Sequence, residues 1–220
     1  MDTNIGAIER VTQNKLIGLF KSVLGYSYLG NWEKREGNSN IEEGLLTKYL
    51  SRRAYTDKEI HSAITILKRE ANSLGDGLYN ANKEVYSLLR YGVNVQAEVS
   101  EKKKMVHLID WKNPMENDFY IAEEVTIHGA SDRRPDLVVY VNGIALAVIE
   151  LKRSIVSVHE GIRQNIRNQQ DGYIPKFFTT IQLLFAGNDT EGLHYGVIKT
   201  PEKFWLRWKE PCGDPSPSWA

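Results

Sequence analysis

One cysteine, Cys212, stands in 220 residues, which excludes a disulfide framework and a cysteine-built zinc site. No apolar run approaches the roughly 18 residues of a membrane-spanning helix, and the amino terminus is polar, without the features of a signal peptide. Membrane association is therefore not expected, and the expected compartment is the cytoplasm. Net charge is missing as well, with 28 basic residues against 28 acidic ones. Chains that bind nucleic acid unaided are usually basic, so strong binding by this piece alone is not expected. There is no G-x-x-x-x-G-K-S/T loop, and no Gly-Lys pair anywhere, which excludes P-loop binding of ATP and a translocating motor.

What is present is enough apolar material for a core, at 41% hydrophobic residues. Ile8, Val11, Ile17, Phe20, Val23 and Leu24 recur near helical spacing and predict a helix over 5–24, stopped at Gly25. Ile41 to Leu50 predicts a second helix with an Asn40 cap and acids in its first turn. Thr56 to about Ser73 predicts a third and Asn82 to Arg90 a fourth. Residues 1–90 thus read as a mostly helical part packed on a core. From Val93 the period changes to two, through Val95, Ala97 and Val99, then Met105 to Trp111 beyond a basic turn at Lys102-Lys103-Lys104. Phe119 to Ile127 follows as a strand, then the hairpin described next and a helix over Ser157 to Gln170. Closing strands are expected at Ile181 to Ala186 and Tyr195 to Ile198, with a short helix opened by Pro201 and carrying Trp205 and Trp208. Residues 91–210 form the expected core, and 211–220, rich in Pro and Ser, read as a linker or tail.

The most informative stretch is Arg133 to Lys152, R-R-P-D-L-V-V-Y-V-N-G-I-A-L-A-V-I-E-L-K. Two apolar runs, Leu137 to Val141 and Ile144 to Leu151, flank Asn142-Gly143, a strong β-hairpin signal. Asp136 enters this hairpin, and Glu150 and Lys152 leave it. Residues two apart on a strand point the same way, so Glu150 and Lys152 share a face with Leu146 and Val148. Charges on a core-facing stripe need a metal, a partner or a wet cleft. Asp136 joins them only if it pairs with Glu150. A strict two-residue loop would set it against Ile149, so a bulged turn with Gly143 left-handed is predicted. Oxygen ligands of this kind suit Mg²⁺, completed by waters and phosphate oxygens, with Lys152 orienting a water or stabilising developing charge. That chemistry is hydrolysis of a nucleic-acid backbone.

Glu-x-Lys alone carries no information, since Glu101-Lys102-Lys103 repeats it in a polar turn. Asp136 alone would read as a turn residue and Lys152 alone as a strand-end lysine. Locally the charge balance favours an anion, with seven Lys and Arg against four acids over 133–176. Arg133 and Arg134 could clamp a phosphate or pair with nearby acids. Arg163 and Arg167 lie four apart on one helix face with Gln164 beside them. Glu42 and Glu43 could add a carboxylate, but compensation of a helix dipole is the better account of them.

At these residues the chain resembles the PD-(D/E)xK nuclease superfamily, and within it the amino-terminal region of the restriction (motor) subunit of type I restriction enzymes. The likeness includes Gly25-Tyr26, Asn40 to Leu50, Tyr91-Gly92-Val93, Ile109 to Pro114 (I-D-W-K-N-P), Asn117-Asp118-Phe119, Arg134 to Lys152, Gln164 to Gln169, Ile174-Pro175 and Phe177-Phe178. The resemblance implies an α/β (α+β) restriction-endonuclease-like core, a central mixed sheet flanked by helices. It further implies a Mg²⁺-dependent endonuclease, with Mn²⁺ a substitute, that cuts duplex DNA in a complex with methylation and specificity subunits. Asp136 and Glu150 would hold the metal, with the Leu151 carbonyl as a further candidate, and Lys152 would be the catalytic lysine. ATP would concern only a motor region that this chain lacks. The family's Gln-x-x-x-Tyr motif has two counterparts: Gln164, followed at the fourth place by Asn168, and Gln169, followed by Tyr173. A catalytically silent docking module, with the charged triplet as a structural ion pair, is the competing reading. Another enzyme of the superfamily, such as a junction resolvase or repair nuclease, is a third.

Overall fold

The computed structural model describes residues 5–96 and 102–209, the side chains of 5–9 excepted. The expected positions Ala97, Val99, Glu101 and the 211–220 tail with Cys212 lie outside the described residues. In chain order the elements are α1 (Ile5–Ser22), β1 (Ser27–Asn31), α2 (Glu43–Arg52), α3 (Asp57–Ala71), α4 (Leu78–Tyr91), β2 (Val93–Val95), β3 (Lys104–Val106), β4 (Phe119–Glu123), β5 (Leu137–Val141), β6 (Ile144–Leu151), α5 (Val158–Asn168), β7 (Leu183–Asn188), β8 (Gly192–Gly196) and β9 (Leu206–Arg207). Seven strands form one mixed sheet in the order β1-β4-β5-β6-β7-β8-β9, with β1–β4 and β6–β7 parallel and the other pairs antiparallel. Helices flank it, which is the expected restriction-endonuclease-like arrangement.

The hairpin strands β5 and β6 hold the interior of the sheet, with β6 fourth of the seven strands and all five residues of β5 buried. One face, with Val138, Val148 and Leu184, packs on Val158 and Ile162 of α5. The opposite face, with Ile121, Leu137, Ala147 and Ile149, packs on Ile17 of α1. A third cluster joins α2, α3 and α4 to the separate β2–β3 ribbon and reaches the sheet at Ile144. Because β6 and β7 are parallel, the chain must cross over between them, and α5 makes that crossing above the end of β6.

Several expectations need correction. Among the described residues up to 90 the chain is mostly helical, but β1, which was not foreseen, enters the sheet as an edge strand beside β4. The packed stripe of α1 is Gln13, Leu16, Ile17 and Phe20, while Val11 and Val23 are exposed. Asn40 does not cap α2. Glu42 occupies the cap position, and the Asn40 amide donates to the Lys176 carbonyl and Thr179 Oγ1. The short helix after Pro201 is a single turn, Glu202–Phe204, so Trp205 and Trp208 lie beyond it, around the unforeseen β9.

The hairpin turn is also not the one expected. Asn142 and Gly143 are both left-handed, at φ 53° and 88°, and Val141 faces Ile144, so the turn is a plain two-residue loop. The extra residue sits further along: Tyr140 faces Ala145 but Val139 faces Ala147, leaving Leu146 bulged out of the ladder. From there Leu137 faces Ile149. Continued by one step, that register sets Asp136 against Glu150, so the bulge arises at Leu146 rather than at Gly143.

Candidate active site

The acidic end of the hairpin is built by three segments. The strand β5 brings Asp136 to its entrance, β6 ends in Glu150 and Leu151, and α5 crosses above them. The Leu151 N–H donates to Asp136 Oδ2 at 2.6 Å, which ties the aspartate carboxylate to the backbone of the strand that carries the glutamate. Glu150 is fully buried, and its Oε2 accepts from Gln164 Nε2 at 2.7 Å. Lys152 is half-buried, its backbone N–H held by the Gly187 carbonyl at 2.9 Å. Lys152, Gln164, Arg133 and Arg167 line one cavity of about 230 Å³, with Glu160 and Asn168 completing its wall.

Gly161 is what allows α5 to lie so close. A Cβ there would sit 3.2 Å from the Ala186 side chain, 3.5 Å from Lys152 Cγ and 3.6 Å from the Glu150 carbonyl. Gly161→Val is expected to push α5 off the ends of β6 and β7, costing about 1–3 kcal/mol by overpacking. Urea unfolding should register that loss; a variant as stable as the parent would show that α5 is not seated on this glycine.

Among the described residues no group of three or more His, Cys, Asp or Glu side chains could hold a metal. The donors at the hairpin are two carboxylates and the Leu151 carbonyl, an all-oxygen set. That set fits Mg²⁺, which takes one or two protein carboxylates and completes its shell with water and phosphate oxygens; it does not fit a closed zinc site.

Residues 8–203 match the family described as the type I restriction enzyme R protein N terminus. The chain belongs to that family. A Methanocaldococcus jannaschii protein provisionally named the endonuclease subunit of type I restriction enzyme MjaIXP is 27% identical over 90% of this chain and 20% of its own length. A Staphylococcus saprophyticus protein named the SsaAORF53P endonuclease subunit is 26% identical over 60% of the chain and 13% of its own length. A Staphylococcus aureus protein named the SauMSSORF170P endonuclease subunit is 23% identical over 90% and 19%. The chain therefore spans about a fifth or less of the length of these relatives.

In this R-protein amino-terminal domain the other candidate residues separate clearly. Of the two glutamines, Gln164 reaches Glu150, whereas Gln169 is buried and structural, its Nε2 on the Asn165 carbonyl and its Oε1 accepting from the Lys199 N–H. Tyr173 carries the Arg133 guanidinium over its ring at 4.2 Å. Arg134 is tied to Glu33 and Glu124, and Arg163 to Glu160 and Glu202, so neither guanidinium faces the cavity unpaired. The Arg163 hydrogen bond in turn holds the Glu202 carboxyl below its usual range. Arg167 remains exposed in the cavity wall. Glu42 and Glu43 lie away from the site: the Glu42 N–H donates to the carbonyl of Gly143 at the far end of the hairpin, its carboxylate pairs with Arg35, and Glu43 pairs with Lys68.

One part of the site was not foreseen. Glu123, which ends β4, is 2% exposed and accepts from Arg10 at 2.9 Å, the Tyr28 hydroxyl at 2.8 Å and Gln13 at 3.3 Å. Burial, with Glu123 beside it, pushes the Tyr28 phenol up to about 12. The Gln13 amide also reaches Glu124 and the Asp136 carbonyl, so α1 is fastened to the strand that delivers the aspartate. The available signal was a polar Gln13 on the stripe shared with Ile17 and Phe20, where an apolar residue would be expected.

Proposed function

We propose that this domain is a Mg²⁺-dependent endonuclease that hydrolyses phosphodiester bonds of duplex DNA within a type I restriction enzyme. The observation that carries the reading is the bulge at Leu146, by which Asp136 comes into line with Glu150, whose carboxylate accepts from Gln164, a residue that lines one cavity with Lys152. This arrangement supports reading Asp136, Glu150 and Lys152 as a PD-(D/E)xK constellation. Asp136 and Glu150 would hold the metal, with the Leu151 carbonyl as a third oxygen. When bound, Mg²⁺ or Mn²⁺ would neutralise phosphate charge and acidify a water.

The residues of the chain divide the remaining work. Lys152 holds the attacking water or the charge that develops on the phosphate as the new P–O bond forms and the bond to the leaving oxygen breaks. Gln164 fixes the rotamer of Glu150 by its hydrogen bond, and the Leu151 N–H fixes Asp136. Arg133, stacked on Tyr173, and Arg167 supply positive charge at the cavity where a phosphate would rest. A chain of zero net charge leaves delivery of the DNA to partners, the methylation and specificity subunits, and ATP would serve only a motor region elsewhere in the subunit. The compartment that goes with this role is the cytoplasm, and among the described residues no helix is long and apolar enough to cross a membrane.

Calorimetric titration of the chain and of Asp136→Ala with Mg²⁺ and Mn²⁺, alongside plasmid nicking, tests this reading. Binding by the parent that disappears in the variant is the expected result. No binding in either protein, with DNA present as well, would replace the nuclease with the docking module.

A further inference from the structure

A second cavity lies away from the hairpin's acidic end. It has a volume of about 530 Å³, within the roughly 300–1,000 Å³ of small-molecule sites. It opens between the ends of α2 and α4 and the loop that follows β3, where the I-D-W-K-N-P segment lies. That loop is joined to the hairpin turn: Asn117 Oδ1 accepts from the Asp110 N–H at 2.9 Å and from Asn142 Nδ2 at 2.8 Å. The eight-residue strand β6 begins beside this turn and ends at the acidic site. At about 3.3 Å per residue, some 20 Å separate the two.

Its lining is aromatic and cationic. Trp111 is 47% exposed yet held, its indole N–H donating to the Leu89 carbonyl at 2.8 Å. The Tyr55 hydroxyl accepts from the His107 N–H at 3.0 Å, which fixes a second ring in the wall. Arg90 lies 5.4 Å from the centre of the Trp111 ring. Lys112 is the next residue along the loop, and among the described residues no ion pair ends on Lys112 or Arg90. The sole acid lining the cavity is Asp110, whose oxygens are already taken by Arg53 at 2.7 Å and by the N–H groups of Lys112 and Asn113. These hydrogen bonds hold its carboxyl below the usual range. The remaining field is positive, over fixed aromatic walls.

The complement of such a wall is a flat ring that carries an anion. We infer that this cavity binds a single nucleotide, its base against Trp111 and Tyr55 and its phosphate on Arg90 and Lys112. The nucleotide comes either free or as an unpaired residue of a strand, and both present the same ring and phosphate. The inference stands apart from the nuclease reading, because no residue of the acidic end lines this cavity.

The test is calorimetry in EDTA, with adenosine monophosphate, adenosine and a short single-stranded oligothymidylate as probes. The proteins are the 220-residue chain and its Arg90→Ala, Lys112→Ala, Trp111→Leu and Asp136→Ala variants. Saturable binding of the mononucleotide, about tenfold weaker in Arg90→Ala and for adenosine, is expected, with Asp136→Ala unchanged. Binding of the oligonucleotide alone, with the same dependence on Arg90 and Trp111, identifies a strand as the source. Arg90 and Lys112 are exposed, so their variants should fold even if Trp111→Leu does not. No binding of any probe, equal affinity in parent and all cavity variants, or loss confined to Asp136→Ala overturns the inference.

Discussion

Lys152→Ala is expected to lower DNA cleavage by about 10²–10³-fold while leaving Mg²⁺ affinity nearly unchanged. The strand does not depend on this side chain: the backbone N–H of Lys152 is bonded to the Gly187 carbonyl, and Leu151 above it is buried among β-strand neighbours. What is lost is a positive charge in the cavity that also holds Gln164 and Arg167. Lys152→Arg is not expected to restore the rate, because a planar fork on a longer side chain cannot take the place of a compact ammonium beside Gly161. The measurement is the turnover number of the assembled enzyme on plasmid DNA, with metal affinity read by calorimetry on the same preparations. Cleavage by Lys152→Ala at the parental rate would remove the lysine from the chemistry. Metal binding lost along with activity would make it a structural partner of the carboxylates.

The largest stability effect is expected at the opposite end of the same hairpin. A Cβ on Gly143 would lie 2.7 Å from the Glu42 carbonyl oxygen, 2.8 Å from Leu45 Cβ and 2.8 Å from the Leu46 amide nitrogen. Two of these are backbone atoms of the α2 start, which cannot turn away as a flexible side chain would. The position is also left-handed, at φ 88°. Strain and collision together predict that Gly143→Ala destabilises the chain by about 3 kcal/mol or more. Gly192→Ala is the control, with a similar φ of 80° but only the Arg207 guanidinium nearby at 3.4 Å. It should cost about 1 kcal/mol, the strain without the collision. Urea midpoints of the two variants decide the matter, and equal losses would mean that α2 is not seated on the turn.

Asn142 explains why a plain two-residue turn is kept there. Its side chain donates to the Leu108 carbonyl at 2.9 Å and to Asn117 Oδ1, and accepts from the Asp118 N–H at 2.7 Å. The turn is therefore a junction between the sheet and the loop after β3. Asn-Gly could be read as a turn from the sequence because both residues tolerate left-handed backbone. Its tertiary bonds could not, because their partners lie 24 to 34 residues away.

By itself the sequence determined which residue types stand at the acidic end, that Glu150 and Lys152 leave one strand two positions apart, and that the chain carries neither a P-loop nor cysteine chemistry. It also set the helical stretches, whose period of 3.6 is a local property. Only the tertiary structure decided the register that aligns Asp136 with Glu150. Alternation along a strand says which of its own residues share a face, but pairing between strands can slip wherever a residue bulges. Here Leu146 does so because it packs toward the helical cluster and its carbonyl accepts from the Gln182 N–H at 2.8 Å. The same holds for charge. Arg134 is drawn to Glu33 and Arg163 to Glu202, acids distant in sequence, while Arg167 and the Arg133–Tyr173 stack are left at the cavity. Ion-pair partners are chosen by proximity in space, which composition and spacing do not encode.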